Sequence, residues 1–337
     1  MFSIISVILS ALKRPVPYFT GNLSSEQIRL MATHSPVQLL EMVKSVIPPL
    51  QFGMHKGQAG RVAVIGGCQE YTGAPYFAAI SALKTGADLS HVFCSAGAAT
   101  VIKGYSPELI VHPLLDSQDA LNEFSQWLPR FHALVVGPGL GRDSQILKTV
   151  ALVIQKALQH KLPVIIDADG LFLVTQDPSL INGHPTVILT PNAAEFGRLY
   201  KKVFDRDPNV DEPIISVKEL SRKLGYVTIV HKGLQDIISN GEQVLVCTEP
   251  GSFRRCGGQG DLLSGSMGIF AFWSTEVVKK GAEGSTLQIY GPGMCAAYAA
   301  CALTRVCNRH AFEVCGRSMT TTDMISQIHN SFQSLFT

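Results

Sequence analysis

The stretch ALVVGPGLGRDSQILKTVALVIQKALQHKLPVIIDADG, residues 133–170, reads as a strand, a crossover helix and a second strand. ALVVGPG (133–139) and PVIIDADG (163–170) are short β-branched runs that end in glycine or aspartate, and the segment between them is long and of helical period. A helix-length connection lets two strands run parallel, whereas a tight hairpin makes them antiparallel.

From Arg61 onward the same alternation continues. The predicted strands are RVAVIGG (61–67), HVFCSAG (91–97), LIVHPL (109–114), the two already quoted, TVILTPN (186–192) and VTIVHKG (227–233). DIISNG and QVLVCTEP then form a predicted hairpin around Asn240-Gly241, a strong turn dipeptide. The expectation is an α/β fold with a central, mostly parallel sheet and an antiparallel edge. Helix starts are expected at Ser35-Pro36 with Gln38, at Asn192 with Glu195, and at Thr322-Asp323, which would open the last helix. In VQLLEMVKSVI (37–47) the apolar stripe is read as Val37, Leu40, Val43 and Ile47, ended by Pro48-Pro49. The charged segment VFDRDPNVDEPII (202–214) is expected to be a surface loop. No internal repeat or low-complexity stretch interrupts the pattern, and residues 34–337 are read as one domain.

The composition of the 337 residues fits a packed enzyme-sized core: 46% are hydrophobic, and 28 Lys and Arg face 26 Asp and Glu. Disorder is excluded as the dominant state. A net charge of +2 with scattered basic residues offers no field for a nucleic-acid backbone. The eight cysteines include no CxxC pair, and they sit mostly inside apolar runs, so they are read as reduced, buried thiols. Cys295, Cys301 and Cys307, with His310 nearby, do not have zinc-ligand spacing.

Residues 1–33 are read apart from the fold. They hold no acidic residue before Glu26, are rich in serine, and place Lys13 and Arg14 after an apolar stretch. That composition points to a mitochondrial presequence, with a cytosolic form starting at Met31 as the other reading. The apolar part is shorter than the ~18–20 residues a membrane crossing needs. Asn22-Leu23-Ser24 fits a glycosylation acceptor, a pattern common by chance.

The segment Arg254-Arg255-Cys256-Gly257-Gly258-Gln259-Gly260-Asp261 runs into an apolar helix expected to start near Asp261. Backbone N–H groups and the positive helix end would converge there, making an anion site that glycine leaves unobstructed. A plain loop with Asp261 as an ordinary N-cap is the alternative. Gly137, Gly139 and Gly141 follow a strand, as close ligand approach or a tight turn would require. Neither GxGxxG nor a Walker A pattern is present. Pro75 is read as the first residue of a helix after Gly73-Ala74. Asp167 and Asp169 are read either as orienting Mg2+ or water, or as helix caps.

GGxGD before an apolar helix resembles the signature of the ribokinase-like superfamily. HKGQAGRVAVIGG (55–67), VVGPGLGRD (135–143), VIIDADGL (164–171), LTPNAAEFGRL (189–199) and HKG (231–233) together resemble the ATP-dependent NAD(P)H-hydrate dehydratases over about residues 36–336. The resemblance implies a three-layer αβα fold and ATP-dependent dehydration of (6S)-NADHX and (6S)-NADPHX to NADH and NADPH, with Mg2+ accompanying ATP. It implies Asp261 as the base, and hydrate contacts at Gly139, Asn192, Ala193, Ala194, Glu195, Phe196, Gly197, Arg198 and Asp261. It places ATP on Lys232, Gly233, Leu234, Gln235 and Asp236, and on Gly251, Ser252, Phe253, Arg254, Arg255, Cys256, Gly257, Gly258, Gln259 and Gly260. Bacterial relatives often carry threonine where Gln259 stands, so no side-chain role is expected at that position. The stretch before the first strand is too short for the epimerase domain that bacterial chains often carry, so a separate epimerase is expected to supply the (6S) epimer. Association into a homo-oligomer is compatible with the resemblance. Because GGxGD specifies phosphoryl transfer and not its acceptor, a kinase acting on a sugar or vitamin-precursor alcohol is the alternative. A nucleotide-binding regulator without turnover would be expected to have lost the base, and Asp261 is present.

Overall fold

Apolar side chains that alternate along each strand give the sheet two buried faces, and the helices divide between them. The computed structural model describes residues 34–281 and 286–337; the targeting reading, Asn22 and Met31 fall outside them. The strands are β1 (Arg61–Ile65), β2 (Leu89–Cys94), β3 (Ile110–Pro113), β4 (Ala133–Val136), β5 (Val164–Ile166), β6 (Val187–Leu189), β7 (Thr228–His231), β8 (Asp236–Ser239) and β9 (Val244–Cys247). They form one sheet in the order β3-β2-β1-β4-β5-β6-β7-β8-β9. The first seven run parallel, and β8 is antiparallel to both β7 and β9, with Asn240-Gly241 in the β8–β9 turn. Gly241 takes φ +85°, and the Asn240 side chain accepts from the Glu242 and Gln243 N–H groups, which closes the turn.

Val62 and Val64 of β1 enter one core, and Ala63 and Ile65 enter the other. Over the first face lie α1 (Pro36–Lys44), α2 (Gly73–Thr85) and α3 (Ala96–Tyr105). Over the second lie α4 (Ala120–Trp127), α5 (Ser144–Gln159), α6 (Ala168–Gln176), α7 (Ala193–Phe204) and α8 (Pro213–Lys223). The first face is completed by α9 (Gln259–Lys279), α10 (Thr286–Cys315), α11 (Thr321–Ser326) and α12 (Ile328–Phe336). The result is a three-layer αβα sandwich. α10 breaks at Gly291, where φ is +78°, just before Pro292.

Several local expectations shift by a few residues. The α1 capping box forms between Ser35 and Gln38, but the buried face is Leu39, Met42 and Val43, while Val37 is 68% exposed. The helix ends at Lys44, so Ile47 lies beyond the stripe it was assigned to, and packing against α10 and α12 selects the other face. Pro75 is the third residue of α2, not the first, because Gly73 already opens the helix. The final capping box uses Thr320 with Asp323, and the helix it opens is followed by α12, so Thr322 caps nothing. Only residues 205–212 of the charged segment form a loop, since α7 continues to Phe204 and α8 starts at Pro213. Cys94, Cys247, Cys295, Cys301 and Cys307 are buried, whereas Cys68, Cys256 and Cys315 are half-buried. Burial pushes the Cys94, Cys247, Cys295 and Cys307 thiols up to about 12, so they stay neutral.

α9 reaches the sheet because it can lie against α2 without a side chain between them. A Cβ on Gly265 would sit 2.0 Å from the Ala78 carbonyl oxygen. Backbone cannot yield as a side-chain tip can, so Gly265→Ala is expected to destabilise the fold by about 1–3 kcal/mol or more, read as a lower midpoint in urea unfolding.

Candidate functional site

In the sheet order, β2 lies on one side of β1 and β4 on the other, so the chain reverses its winding direction at this point. A crevice opens beyond the carboxyl ends of two strands where such a reversal occurs. Gly66-Gly67 follows β1 and Gly137-Pro138-Gly139 follows β4; the Gly67 N–H donates to the Gly139 carbonyl at 3.0 Å, joining the two turns. Gly139 has φ +59°, and a Cβ there would meet the Tyr71 carbonyl oxygen at 2.5 Å. A tight turn and an open approach to the crevice therefore both require the same glycine. The next loop is pinned by Asp169, which accepts from the Gly141 N–H at 3.0 Å and from Arg142 Nε at 3.3 Å.

The glycine-rich turn before α9 faces this crevice. Gly258 is the N-cap with φ +91°, and a Cβ on it would come 2.8 Å from the Phe77 ring and 2.9 Å from Thr321 Oγ1. Thr321 Oγ1 donates to the Gly257 carbonyl at 2.6 Å, tying the turn to α11. Helix α9 starts at Gln259, so Asp261 is the third residue of the helix and not its cap. Contrary to the expectation for position 259, the glutamine side chain braces the turn from within, as its Nε2 donates to the Arg254 carbonyl at 3.2 Å and to Cys256 Sγ at 3.2 Å.

Beneath the turn is a buried ion pair. Lys232, which follows β7, places Nζ 2.9 Å from Asp167 Oδ1, and the Asp167 side chain is 3% exposed. Asp167 occupies the N-cap position of α6 without making a side-chain cap bond, because its carboxylate is committed to Lys232. A Cβ on Gly260 would lie 3.4 Å from Lys232 Nζ and 3.5 Å from Asp167 Oδ2. The turn thus passes directly over the pair. Burial works against the Lys232 charge, but Asp167 outweighs it, with Glu195 and Asp261 adding to the effect, and the ammonium pKa stays above the usual value. Burial pushes the Asp261 carboxyl well above the ordinary carboxylate range; the Asp167 charge pushes the same way, and Lys232 opposes both.

Two cavities meet at this point. Asp261 lines the first, together with Cys68, Tyr71, Gly139, Gly141 and Asp169. Its helix neighbours Gln259 and Gly260 line the second, with Lys232, Gly233, Leu234 and Asp236. Gly251, Arg255 and Asn192 complete part of the same wall. A third pocket adjoins the first through Arg142, Ala168 and Asp169, and contains Glu195 and Arg198. The first turn of α9 therefore gives a carboxylate with raised proton affinity to a cavity floored by close backbone turns, and its two preceding residues to a cavity that carries a lysine.

The remaining sequence-predicted residues divide clearly. Asn192 and Glu195 form the capping box of α7, with the Asn192 side chain accepting from the Ala194 and Glu195 N–H groups at 3.0 Å. Ala193 and Ala194 are exposed in the first turn, and Gly197 is half-buried. Phe196 packs on His231 and Tyr200 inside the core, so it supports α7 from below. Arg254 points its Nε to the Met319 carbonyl at 3.4 Å, while Arg255 lines the second cavity. Phe253 is 86% exposed, and the Ser252 hydroxyl accepts from the Arg254 N–H. Gln235, Cys256, Gly257 and Gly258 shape the loops without lining the second cavity.

Sequence reasoning missed the helix that holds these loops. Arg305 of α10 donates to Asp236 Oδ2 at 2.6 Å and to the Leu234 and Gly233 carbonyls at 2.8 and 3.0 Å. Asp236 is therefore a clamp for its own loop, and its Oδ1 also accepts from the Gly233 N–H. Asn308 accepts from the Ser252 N–H at 2.5 Å and donates to the Arg254 carbonyl at 3.3 Å. The signal was present as polar residues at 304, 305, 308 and 309 in an otherwise apolar helix.

Gly258→Ala tests the turn. Its positive φ and its contacts with Phe77 and Thr321 leave no room for a methyl group, so the variant is expected to lose more than ~10-fold in affinity for an anionic phosphate ligand, equivalent to about 1.4 kcal/mol. Isothermal titration with MgATP measures it.

The family model for NAD(P)H-hydrate dehydratase matches residues 62–330. The chain is 56% identical over 297 residues to an ATP-dependent (S)-NAD(P)H-hydrate dehydratase of Homo sapiens, covering 88% of this chain and 84% of that one. Among solved structures, a ribokinase-like superfamily protein of Enterococcus faecalis superposes with a TM-score of 0.70 at 19% identity, covering 94% of this chain and 99% of the other. The ADP/ATP-dependent NAD(P)H-hydrate dehydratase of Bacillus subtilis, co-crystallized with ATP/Mg2+, gives a TM-score of 0.62 at 19% identity, over 88% and 97%. The fold is ribokinase-like, and with a family match across most of its length the chain belongs to the NAD(P)H-hydrate dehydratase family.

Proposed function

We propose that the protein is an ATP-dependent hydro-lyase that returns (6S)-NADHX and (6S)-NADPHX to NADH and NADPH, releasing ADP and phosphate. The observation that carries the reading is the first turn of α9, where Asp261 lines one cavity and Gln259 and Gly260 line another. ATP occupies the cavity of Lys232, Arg255 and Gly260, with its transferable phosphoryl group at the helix amino terminus. The hydrated nicotinamide ring lies on the Asp261 and Gly139 side, and the rest of the dinucleotide extends toward Glu195 and Arg198.

Asp261 takes the proton of the ring hydroxyl as that oxygen attacks the γ-phosphorus and ADP leaves. The N–H groups of the turn and the Lys232 ammonium stabilise the charge on the transferring phosphoryl group, for which positioning and electrostatics matter more than covalent help. Hydroxide is a poor leaving group and phosphate a good one, so the ring then expels phosphate as its C–O bond breaks, and loss of a proton from the adjacent ring carbon to solvent forms the new double bond. Among the described residues no group of three or more His, Cys, Asp or Glu could hold a metal by itself. Mg2+ carried in with ATP would be bound through phosphate oxygens and water, neutralising phosphate charge. A separate epimerase supplies the (6S) epimer. No helix among the described residues is long and apolar enough to cross a membrane, and the composition of residues 1–33 supports a mitochondrial location.

Mixing the purified chain with MgATP and (6S)-NADHX is expected to restore reduced-nicotinamide absorbance with equimolar ADP. Phosphorylation of a sugar or vitamin-precursor alcohol in place of that reaction would refute the reading. Asp261→Asn is expected to lower kcat by about 10²- to 10⁴-fold while keeping MgATP binding.

The raised proton affinity of Asp261 also sets a pH dependence. The base is lost as pH falls, so the acid limb of kcat is expected above the ordinary carboxylate value of about 4. In Asp167→Asn the limb moves to lower pH, because a charge that favours protonated Asp261 is removed and Lys232 loses its closer partner. A pH–rate profile of both proteins decides it.

A further inference from the structure

The loop after β4 brings Arg142 to the place where the first and third cavities join. Arg142, Ala168 and Asp169 line both cavities, and Arg142 is the cation they share. Its guanidinium is held by the protein. Nε donates to Asp169 Oδ1 at 3.3 Å, Asp169 is itself fixed by the Gly141 N–H on Oδ2 at 3.0 Å, and the guanidinium carbon lies 4.3 Å from the centre of the Phe172 ring. One edge and one face of the group are thus used. The two terminal nitrogens have no hydrogen-bond partner among the described residues, and the side chain is 60% exposed. An arginine oriented in this way keeps its forked N–H donors for an acceptor such as a phosphate.

We propose that Arg142 binds the diphosphate of the dinucleotide substrate, with its terminal N–H groups donating to phosphate oxygens. The assignment rests on the reading of the first cavity as the site of the hydrated ring. A dinucleotide carries its diphosphate midway between the nicotinamide and adenine nucleosides. With the ring at Asp261 and Gly139 and the adenosine half in the third cavity, the diphosphate falls at the junction. Donor direction selects it, not net charge. The third cavity holds two arginines and two carboxylates, Arg142 and Arg198 with Asp169 and Glu195. Both carboxylates already accept backbone N–H groups, Asp169 from Gly141 and Glu195 from Asn192 at 2.8 Å. Asp169 also offsets part of the Arg142 charge, but the arginine of this pair is largely in solvent, where such pairing is weak. The terminal Arg142 N–H groups remain as free donors at the junction.

Arg142→Gln keeps a donor and removes both the charge and the fork. The full chain, with MgADP saturating so that the second cavity is filled, is titrated with NADH and with NADPH, and KM is measured for both hydrates. The variant is expected to bind NADH and NADPH about 10-fold more weakly, as the loss of a charge-assisted pair predicts, and the kinetic loss is expected in KM and not in kcat. A charge contact leaves a signature that a merely structural role lacks: added KCl weakens NADH binding to the parent and weakens it less steeply in the variant. Arg142→Lys should keep the salt response of the parent with intermediate affinity, because it retains the charge without the fork. Unchanged NADH affinity and KM overturn the proposal and leave the reaction standing. A loss confined to NADPH, which would put Arg142 on the 2′-phosphate, also overturns it, and so does a loss with an unaltered salt response, which would make Arg142 only a support for its loop. The expected binding pattern without turnover of either hydrate would leave the role of Arg142 standing and refute the reaction assigned above.

Discussion

The ion pair between Lys232 and Asp167 governs the site, because three segments from different parts of the chain are positioned against it. Lys232 follows β7, Asp167 follows β5, and the first turn of α9, with Gly260 and Asp261, crosses above them. Breaking a buried pair by removing one partner strands a charge, and the penalty is larger than the net gain from the intact pair. Each partner therefore fixes the other. Asp261, the second buried carboxylate, is held near both, and its proton affinity reflects a contest between burial and Asp167 on one side and Lys232 on the other. A carboxylate built in this way binds a proton more readily than an ordinary one and still sits beside a cation.

Glycine is required at the turn and along α9 where contacts are closest. A methyl group on Gly260 would make only ordinary contact, 3.4 Å from Lys232 Nζ and 3.5 Å from Asp167 Oδ2. One on Gly258 would push the turn away from Phe77 and Thr321, and one on Gly265 would lift α9 from α2. The positions answer to different neighbours, yet each sets where Asp261 stands. Packing on one helix face and the geometry of its first turn are thus a single constraint, because a displaced α9 would carry Asp261 with it.

Much of this was legible in the sequence, and the residues show why. All the strands were expected, because β-branched runs ending in Gly, Asp or Asn carry a local signal that burial on both sheet faces reinforces. The capping boxes at Ser35 and Asn192 were legible for the same reason, since cap and partner lie three residues apart. Helix phase was not. The sequence of α1 offers two apolar faces, and only its packing partners, remote in sequence, select Leu39 and Met42 over Val37. Thr320 in place of Thr322 is a two-residue shift of the kind that adjacent cap-forming residues invite.

The site divides in the same way. Lys232 and Gly139 belong to short motifs in loops after strands, and Asp261 to one at the start of a helix, where the sequence is distinctive. Arg305 and Asn308 belong to a long helix about 70 and 50 residues away in sequence from the loops they hold, and its polar residues mark a face without announcing which loops that face holds. Asp236 makes the difference concrete. Its place in KGLQD marks it as a ligand contact, yet its carboxylate faces Arg305 and its own loop. A motif can therefore mark residues that form the shape of a site as readily as residues that touch what binds there, and only the three-dimensional partners separate the two. In this fold the separation assigns the loops their order, α10 their fixed spacing, and the pair beneath the turn its chemistry.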